Sequence, residues 1–435
     1  MALELLGVGV DSVCGDLVFT GSGLEPDLCV LVGEGRIAGF SEEARGRRLD
    51  YRGRGSVVLP GFADMHVHLR GLELSYKEDE YTGTAAAAVG GVVAVADMPN
   101  TKPPLREPGA LRLKLERLSR LSVVDYAVYA GVPYDSRHAW RLASEPVIGF
   151  KVYPEDLESR ALPRVLEAAG DRGLLVVLHP EHPWLMPGAD YSYERDVYRG
   201  CESEEYAVEV MEELVESLGS PPRIHVTHAS CSGTVVRAKR AGFTVDVAPH
   251  HLAASRELAR THGWCLSKVN PPLRGETERA RLYSLVLEGL VDAVASDHAP
   301  HAAEEKYWRP PYSCSPGFPW LEWWPGLLLR MLWRVSPRAV VDLGSRRPAE
   351  ILGVEWWPIE EGSQATFSVF SLDASRIAGP RYSKAAYTPF HLEEYNPCLA
   401  TVIRGVPVMI EGVVASGVLG ANLARARRVG GGPEA

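Results

Sequence analysis

Leu59-Pro-Gly-Phe-Ala-Asp-Met-His-Val-His-Leu-Arg70 is an apolar run that ends in two histidines and an arginine. Such continuous apolar character is what a strand buried on both faces requires. Within a strand, residues two apart point to the same side. His66 and His68 can therefore reach one point in space, and two neutral imidazoles converging at a strand end are half of a zinc site. Further apolar runs follow at 91–100, 123–132, 147–153, 174–179, 223–230, 243–251 and 291–298, each ending in polar or ionisable residues. With 57–69 they make eight. Helix-length stretches lie between most of them, for example 105–121, 159–172, 203–218 and 276–287. Strand and helix alternating in this way predict an α/β fold, a (β/α)8 TIM-type barrel with its active site at the carboxyl ends of the strands.

The flanks read differently. Short strands with turns are expected at 27–31, 366–370, 400–404 and 406–410. The reading is therefore a barrel over 58–345 and a small β-sandwich domain built from both chain termini, 1–57 and 346–435. The tail Val429-Gly-Gly-Gly-Pro-Glu-Ala435 reads as disordered.

Composition excludes some functions. The net charge of -10 argues against a nucleic-acid binder, which carries a basic stripe. No apolar stretch approaches the roughly 20 residues of a membrane span, and the N-terminus lacks the marks of a signal peptide. Seven cysteines, an odd number with no Cys-x-x-Cys, argue against a full disulfide framework and point to a reducing cytoplasm. Only eight of the 46 basic residues are lysines, and amides are scarce, which is a hint of a hot environment.

The strand ends, taken in order, gather ionisable groups. The first offers His66, His68 and Arg70, and the second Asn100. The fourth carries Lys151, a lysine inside an apolar strand, and the fifth ends in His179. The sixth holds His225 and His228, whose odd spacing puts them on opposite faces; His228 is expected to face the axis and His225 to pack against a helix. The eighth ends in Asp297 and continues to His301. Each of these taken singly could be an ordinary buried polar group. A set of them at matching ends of successive strands reads as a site. His182 and His251 stand near it and read as structural.

The stretches Pro60–Arg70, Gly90–Thr101, Gly149-Phe-Lys151, Thr227-His-Ala-Ser230, Ala248-Pro-His-His-Leu252, Lys268-Val-Asn-Pro-Pro-Leu-Arg274 and Ser296-Asp-His-Ala-Pro-His301 also carry a family likeness. The chain resembles the amidohydrolase superfamily and, within it, the dihydroorotases. The resemblance implies two zinc ions, with His66, His68 and Asp297 on one, His179 and His228 on the other, and Lys151, carboxylated to a carbamate, bridging them. It implies reversible cyclic amide hydrolysis in pyrimidine synthesis, in which a metal-bridging hydroxide attacks the ring amide and Asp297 shuttles the proton. Arg70, Asn100 and His301 would receive the substrate carboxylate, and Asn270 and the Gly317 loop would border the pyrimidine ring.

The chain departs from the family pattern in places. Trp320 stands where a glycine is usual in the substrate loop, and 154–158 lacks the threonine expected after the bridging lysine. Other readings are a hydantoinase, dihydropyrimidinase or allantoinase, or a non-catalytic homologue that partners a transcarbamoylase. Arg70 disfavours the first two, which usually carry an acidic residue there. The Met98–Thr101 motif disfavours the third, and the filled ligand positions disfavour the last. Homo-oligomerisation and association with aspartate transcarbamoylase are left open by these residues.

Overall fold

The computed structural model describes residues 2–186, 195–307, 313–391, 393–417 and 420–426. At its centre, eight parallel strands pair in chain order. They are Phe62–Val67, Val92–Asp97, Asp125–Gly131, Gly149–Val152, Leu175–Leu178, Arg223–Val226, Thr244–Val247 and Ala293–Val294. A parallel bridge between Val67 and His298 joins the last strand to the first. The eight runs read from the sequence are thus the staves of a (β/α)8 barrel. Helices Glu80–Gly90, Pro108–Leu121, Leu162–Asp171, Cys201–Glu216 and Glu276–Leu287 occupy the stretches between strands.

Alternation decides which way each strand residue faces. Phe150, Val152, Val226, Val245 and Val247 pack outward under the helices. Met65, Ala96, Tyr129, Leu175, Val177 and Ala293 fill the barrel axis. Ile351 and Leu352, from helix Arg347–Leu352, join that inner cluster. Arg223, the first residue of its strand, donates to the Ile351 carbonyl at 2.8 Å. The helix therefore closes the amino end of the barrel and leaves the carboxyl end for the site.

The first apolar run proves to be two strands. Ser56–Pro60 lies parallel to Ser12–Thr20 and antiparallel to Phe367–Ser371 in a second sheet, and the barrel strand starts at Phe62. The chain crosses between them at Gly61, where a Cβ would come within 2.5 Å of Val93 Cγ1. The second sheet has nine strands drawn from both chain ends. It has its own core, which includes Val13, Val30, Val58, Phe367 and Val402. Thr401 Oγ1 donates to the Ala88 carbonyl at 2.6 Å, and Ser368 Oγ to the Gly91 carbonyl at 2.8 Å, fastening this sheet to the first barrel helix and the turn after it. The tail 429–435 lies outside the described residues.

The expectation drawn from cysteine parity is overturned. Cys14–Cys29, Cys201–Cys231 and Cys265–Cys314 are disulfides, and Cys398 is the free cysteine. An odd count removes one thiol from pairing and says nothing about the other six. The step from cysteine usage to a reducing compartment falls with it, since disulfides occur both in oxidising compartments and inside hyperthermophiles. No helix among the described residues is long and apolar enough to cross a membrane.

Candidate metal centre and substrate pocket

His66 and His68 leave the first barrel strand side by side, with their Nε2 atoms 3.3 Å apart. Both face one carboxylate oxygen, Asp297 Oδ1, at 3.3 Å from His66 and 3.2 Å from His68. The far nitrogen of each ring is anchored. His66 Nδ1 is 2.6 Å from Thr227 Oγ1, and His68 Nδ1 is 2.6 Å from Asn100 Oδ1. An imidazole held in this way presents its other nitrogen in a fixed direction. Burial holds both rings well below the usual histidine pKa, so they are neutral donors. Burial also pushes the Asp297 carboxyl up to about 7, against the pull of Lys151. A cation in contact with it would reverse that shift.

His179 and His228 complete the ring of imidazoles. Their ring centroids are 4.5 Å apart, and His228 is 4.9 Å from His66. His179 Nε2 lies 2.6 Å from Glu181 Oε2, and Glu181 is itself gripped by Arg199. Lys151 faces the axis, since its neighbours Phe150 and Val152 face the helices. Its amine is fully buried, and burial pushes its pKa down to about 7. Lys151 Nζ and His228 Nδ1 are buried with no hydrogen-bond partner among the described residues. Buried polar atoms are almost always bonded, so orphaned donor atoms among neutral imidazoles fit a metal centre. The donor atoms of His66, His68 and Asp297 lie within 4.8 Å of one another, as ligands of one ion would.

His225 corrects the sequence reading. It faces the barrel axis, not a helix: Nε2 is 2.7 Å from Asp246 Oδ2 and Nδ1 is 2.8 Å from Thr244 Oγ1. The parity argument fails because the strand ends at Val226 and His228 takes a left-handed φ of 41°. That turn swings its side chain back over the barrel mouth, so both histidines lie inside. Asp297 and Arg70 share the conformation, with φ of 48° and 53°.

A cavity of about 330 Å³ opens beside the histidines and is lined by Arg70, Asn100, Asn270, Asp297 and Gly317. Arg70 Nε donates to the Pro300 carbonyl at 3.2 Å. His301 stands behind the guanidinium, its Nε2 3.2 Å from Arg70 Nη2 and 2.9 Å from the Pro316 carbonyl. Asn270 Oδ1 accepts from Arg195. Gly317 has a φ of 137°, and a Cβ there would meet the Ala299 carbonyl at 2.5 Å. Its N–H donates to the Lys268 carbonyl at 2.9 Å, and its own carbonyl accepts from Tyr387 Oη at 3.0 Å. Gly317 therefore shapes the pocket wall. Trp320 is buried in the core against Phe390, and its backbone N–H donates to His298 Nδ1 at 2.9 Å. His182 and His251 are structural in position: His182 Nδ1 accepts from the Trp184 N–H, and His251 Nε2 is 3.2 Å from the Pro271 carbonyl.

Residues 57–417 match the model of the amidohydrolase family. The chain belongs to the amidohydrolase family. Among relatives of this amidohydrolase, a protein of Aeropyrum pernix named dihydroorotase is 50% identical over 403 residues, 91% of this chain and 93% of that one. A dihydroorotase of Saccharolobus solfataricus is 35% identical, covering 83% of this chain and 86% of its own. Solved structures share the fold at lower identity. The L-hydantoinase (dihydropyrimidinase) of Arthrobacter aurescens superposes with a TM-score of 0.84 at 22% identity, over 94% of this chain and 97% of that one. A D-hydantoinase of a Thermus species superposes with a TM-score of 0.86 at 18% identity, over 96% and 99%.

Several residues of this amidohydrolase's site were not read from the sequence. Glu181 could have been, because it follows His179 by two, the spacing that exposed His66 and His68. Tyr153, two residues after Lys151, lines the pocket and has the same signal. Thr227, Asp246 and Arg199 reach the centre only through the fold.

Proposed function

We propose that this amidohydrolase is a metal-dependent dihydroorotase, closing N-carbamoyl-L-aspartate to (S)-dihydroorotate and water in pyrimidine synthesis. The observation that carries the reading is Arg70, a buried cation in the pocket wall beside the imidazole cluster. The ring substrate carries a carboxylate, and a guanidinium fork matches it. The 50% identical relative bears the same name.

His66, His68 and Asp297 would hold one metal and His179 and His228 the other. Lys151, as an anionic carbamate, would lie between them. Zinc suits this imidazole and carboxylate donor set. Bound there, the metal pair would acidify a water toward a pKa of about 7 and polarise the ring carbonyl. The chain's own groups do the rest. Arg70 and Asn100 hold the carboxylate end of the ring, with His301 backing the guanidinium from behind, while Asn270 and Gly317 border the ring itself. In hydrolysis a water oxygen bonds to the ring carbonyl carbon and the carbon–nitrogen bond breaks. Asp297 takes the proton from the water and returns it to the departing nitrogen. Ring closure is the reverse. A cytoplasmic location is part of this proposal, because N-carbamoyl-L-aspartate, with its two carboxylates, does not cross a membrane unaided.

The test is turnover of the metal-loaded protein on dihydroorotate beside hydantoin, dihydrouracil and allantoin. Preference for dihydroorotate, lost in Arg70→Met, is the expected result. Equal turnover of a ring without a carboxylate would overturn the substrate assignment.

A further inference from the structure

Helix Pro108–Leu121 lies outside the barrel, yet one of its side chains reaches the turn that carries Arg70. Lys114 is fully buried. Its Nζ donates to the Arg70 carbonyl at 3.1 Å and to Glu80 Oε1 at 3.0 Å, and lies 2.9 Å from Asp97 Oδ2. Asp97, the last residue of the second barrel strand, also accepts the Leu69 N–H at 2.8 Å. The other oxygen of Glu80 is held by Arg117 at 3.0 and 2.9 Å. A buried ion cluster thus grips the turn from two helices and a strand.

The turn needs holding. Arg70 and Leu72, on either side of Gly71, have φ values of 53° and 50°, which cost a non-glycine residue about 1–3 kcal/mol each. Glu80 packs so closely against Gly71 that no Cβ fits between them. Stability alone does not call for charges here, because buried ion clusters are often replaced by apolar side chains without loss. An apolar side chain could not donate to the Arg70 carbonyl, whereas the ammonium donates to it and to Glu80 and offsets the charge of Asp97.

We propose that Lys114 is a positioning residue for Arg70, which fixes the turn so that the guanidinium faces the pocket and thereby sets affinity for a ring that bears a carboxylate. This rests on the reading above that Arg70 receives that carboxylate. The test compares Lys114→Met, Lys114→Met/Asp97→Asn and Arg70→Met by kcat, KM for dihydroorotate, bound metal and thermal midpoint. The double variant removes the carboxylate that loss of the lysine would strand, so it keeps the test usable if the single variant folds poorly. The expected result is a KM raised about tenfold or more in both Lys114 variants, with kcat within about threefold and metal content unchanged. The double variant should regain thermal midpoint but not KM. A folded, metal-replete double variant with wild-type KM would overturn the positioning role. A wild-type KM in Arg70→Met would instead overturn the reading on which it rests.

Discussion

His228 and Asp297, each just past the end of its strand, take left-handed conformations that cost a non-glycine residue about 1–3 kcal/mol each. The gain is geometric, since both side chains turn inward over the barrel mouth. In the proposed reaction Asp297 is the group on which chemistry depends most. Asp297→Asn keeps the shape and removes what we propose to be both a charged ligand and the proton carrier, so kcat should fall by at least about 100-fold. The thermal midpoint of the metal-free protein should hold or rise, because burial penalises the carboxylate there. Calorimetry beside steady-state kinetics separates the two effects, and a variant with near-normal kcat would refute the proton-transfer role. Gly317 is constrained by space as well as by φ, with the Ala299 carbonyl 2.5 Å from any added Cβ. Gly317→Ala should lower stability by about 1–3 kcal/mol and raise KM, as read by urea unfolding and kinetics. Lys151 was legible because the pleat aims it, and His66 and His68 because their spacing of two survives the register shift between Asp64 and Val67 that turns both Met65 and His66 inward. His225 was not, because parity applies only while the strand continues.

Two disulfides staple the elements that frame the site. Cys201–Cys231 ties the start of helix Cys201–Glu216 to the loop after the sixth barrel strand, three residues past His228. Cys265–Cys314 ties together the segments leading to Lys268 and Gly317, which are also joined by a backbone hydrogen bond of 2.9 Å. With sequence separations of 30 and 49 residues, the chain-entropy model assigns each about 4 kcal/mol. Protein unfolded without reductant should therefore titrate with a single thiol, that of Cys398, and seven thiols would show the bridges unformed in solution. Cys265→Ser/Cys314→Ser should melt several degrees lower and be cut sooner by protease in the loops around Lys268 and Gly317; unchanged melting and proteolysis would leave that bridge without a structural role. None of this pairing was legible, because connectivity depends on which loops the barrel brings together. The barrel itself was legible, since each strand is a continuous apolar run. The split at Gly61 was not, because both layers demand the same apolar residues and the run continues through the crossing.

At the scale of the whole molecule, burial sets how acid acts on the fold. Burial pushes His251 down to about 3, whereas an unfolded histidine titrates near 6.5. Between those values the unfolded chain binds one more proton at this residue than the folded one does. The contribution of a neutral, buried His251 is therefore complete above about pH 6.5 and is lost as the pH falls toward 3. Asp64 has the opposite sign: burial raises its carboxyl to about 7, so its proton favours the folded state as pH falls toward 4. The total slope mixes these terms, and a difference between two proteins isolates one of them. His251→Gln keeps a donor for the Pro271 carbonyl, which His251 Nε2 meets at 3.2 Å, and removes the titration. From about pH 4 to 6, wild-type stability should rise relative to the variant by about 1.4 kcal/mol per pH unit, one proton's worth. Urea unfolding at stepped pH measures this directly. Parallel curves would mean that His251 takes up its proton without the fold opening, and that water reaches a ring the structure buries.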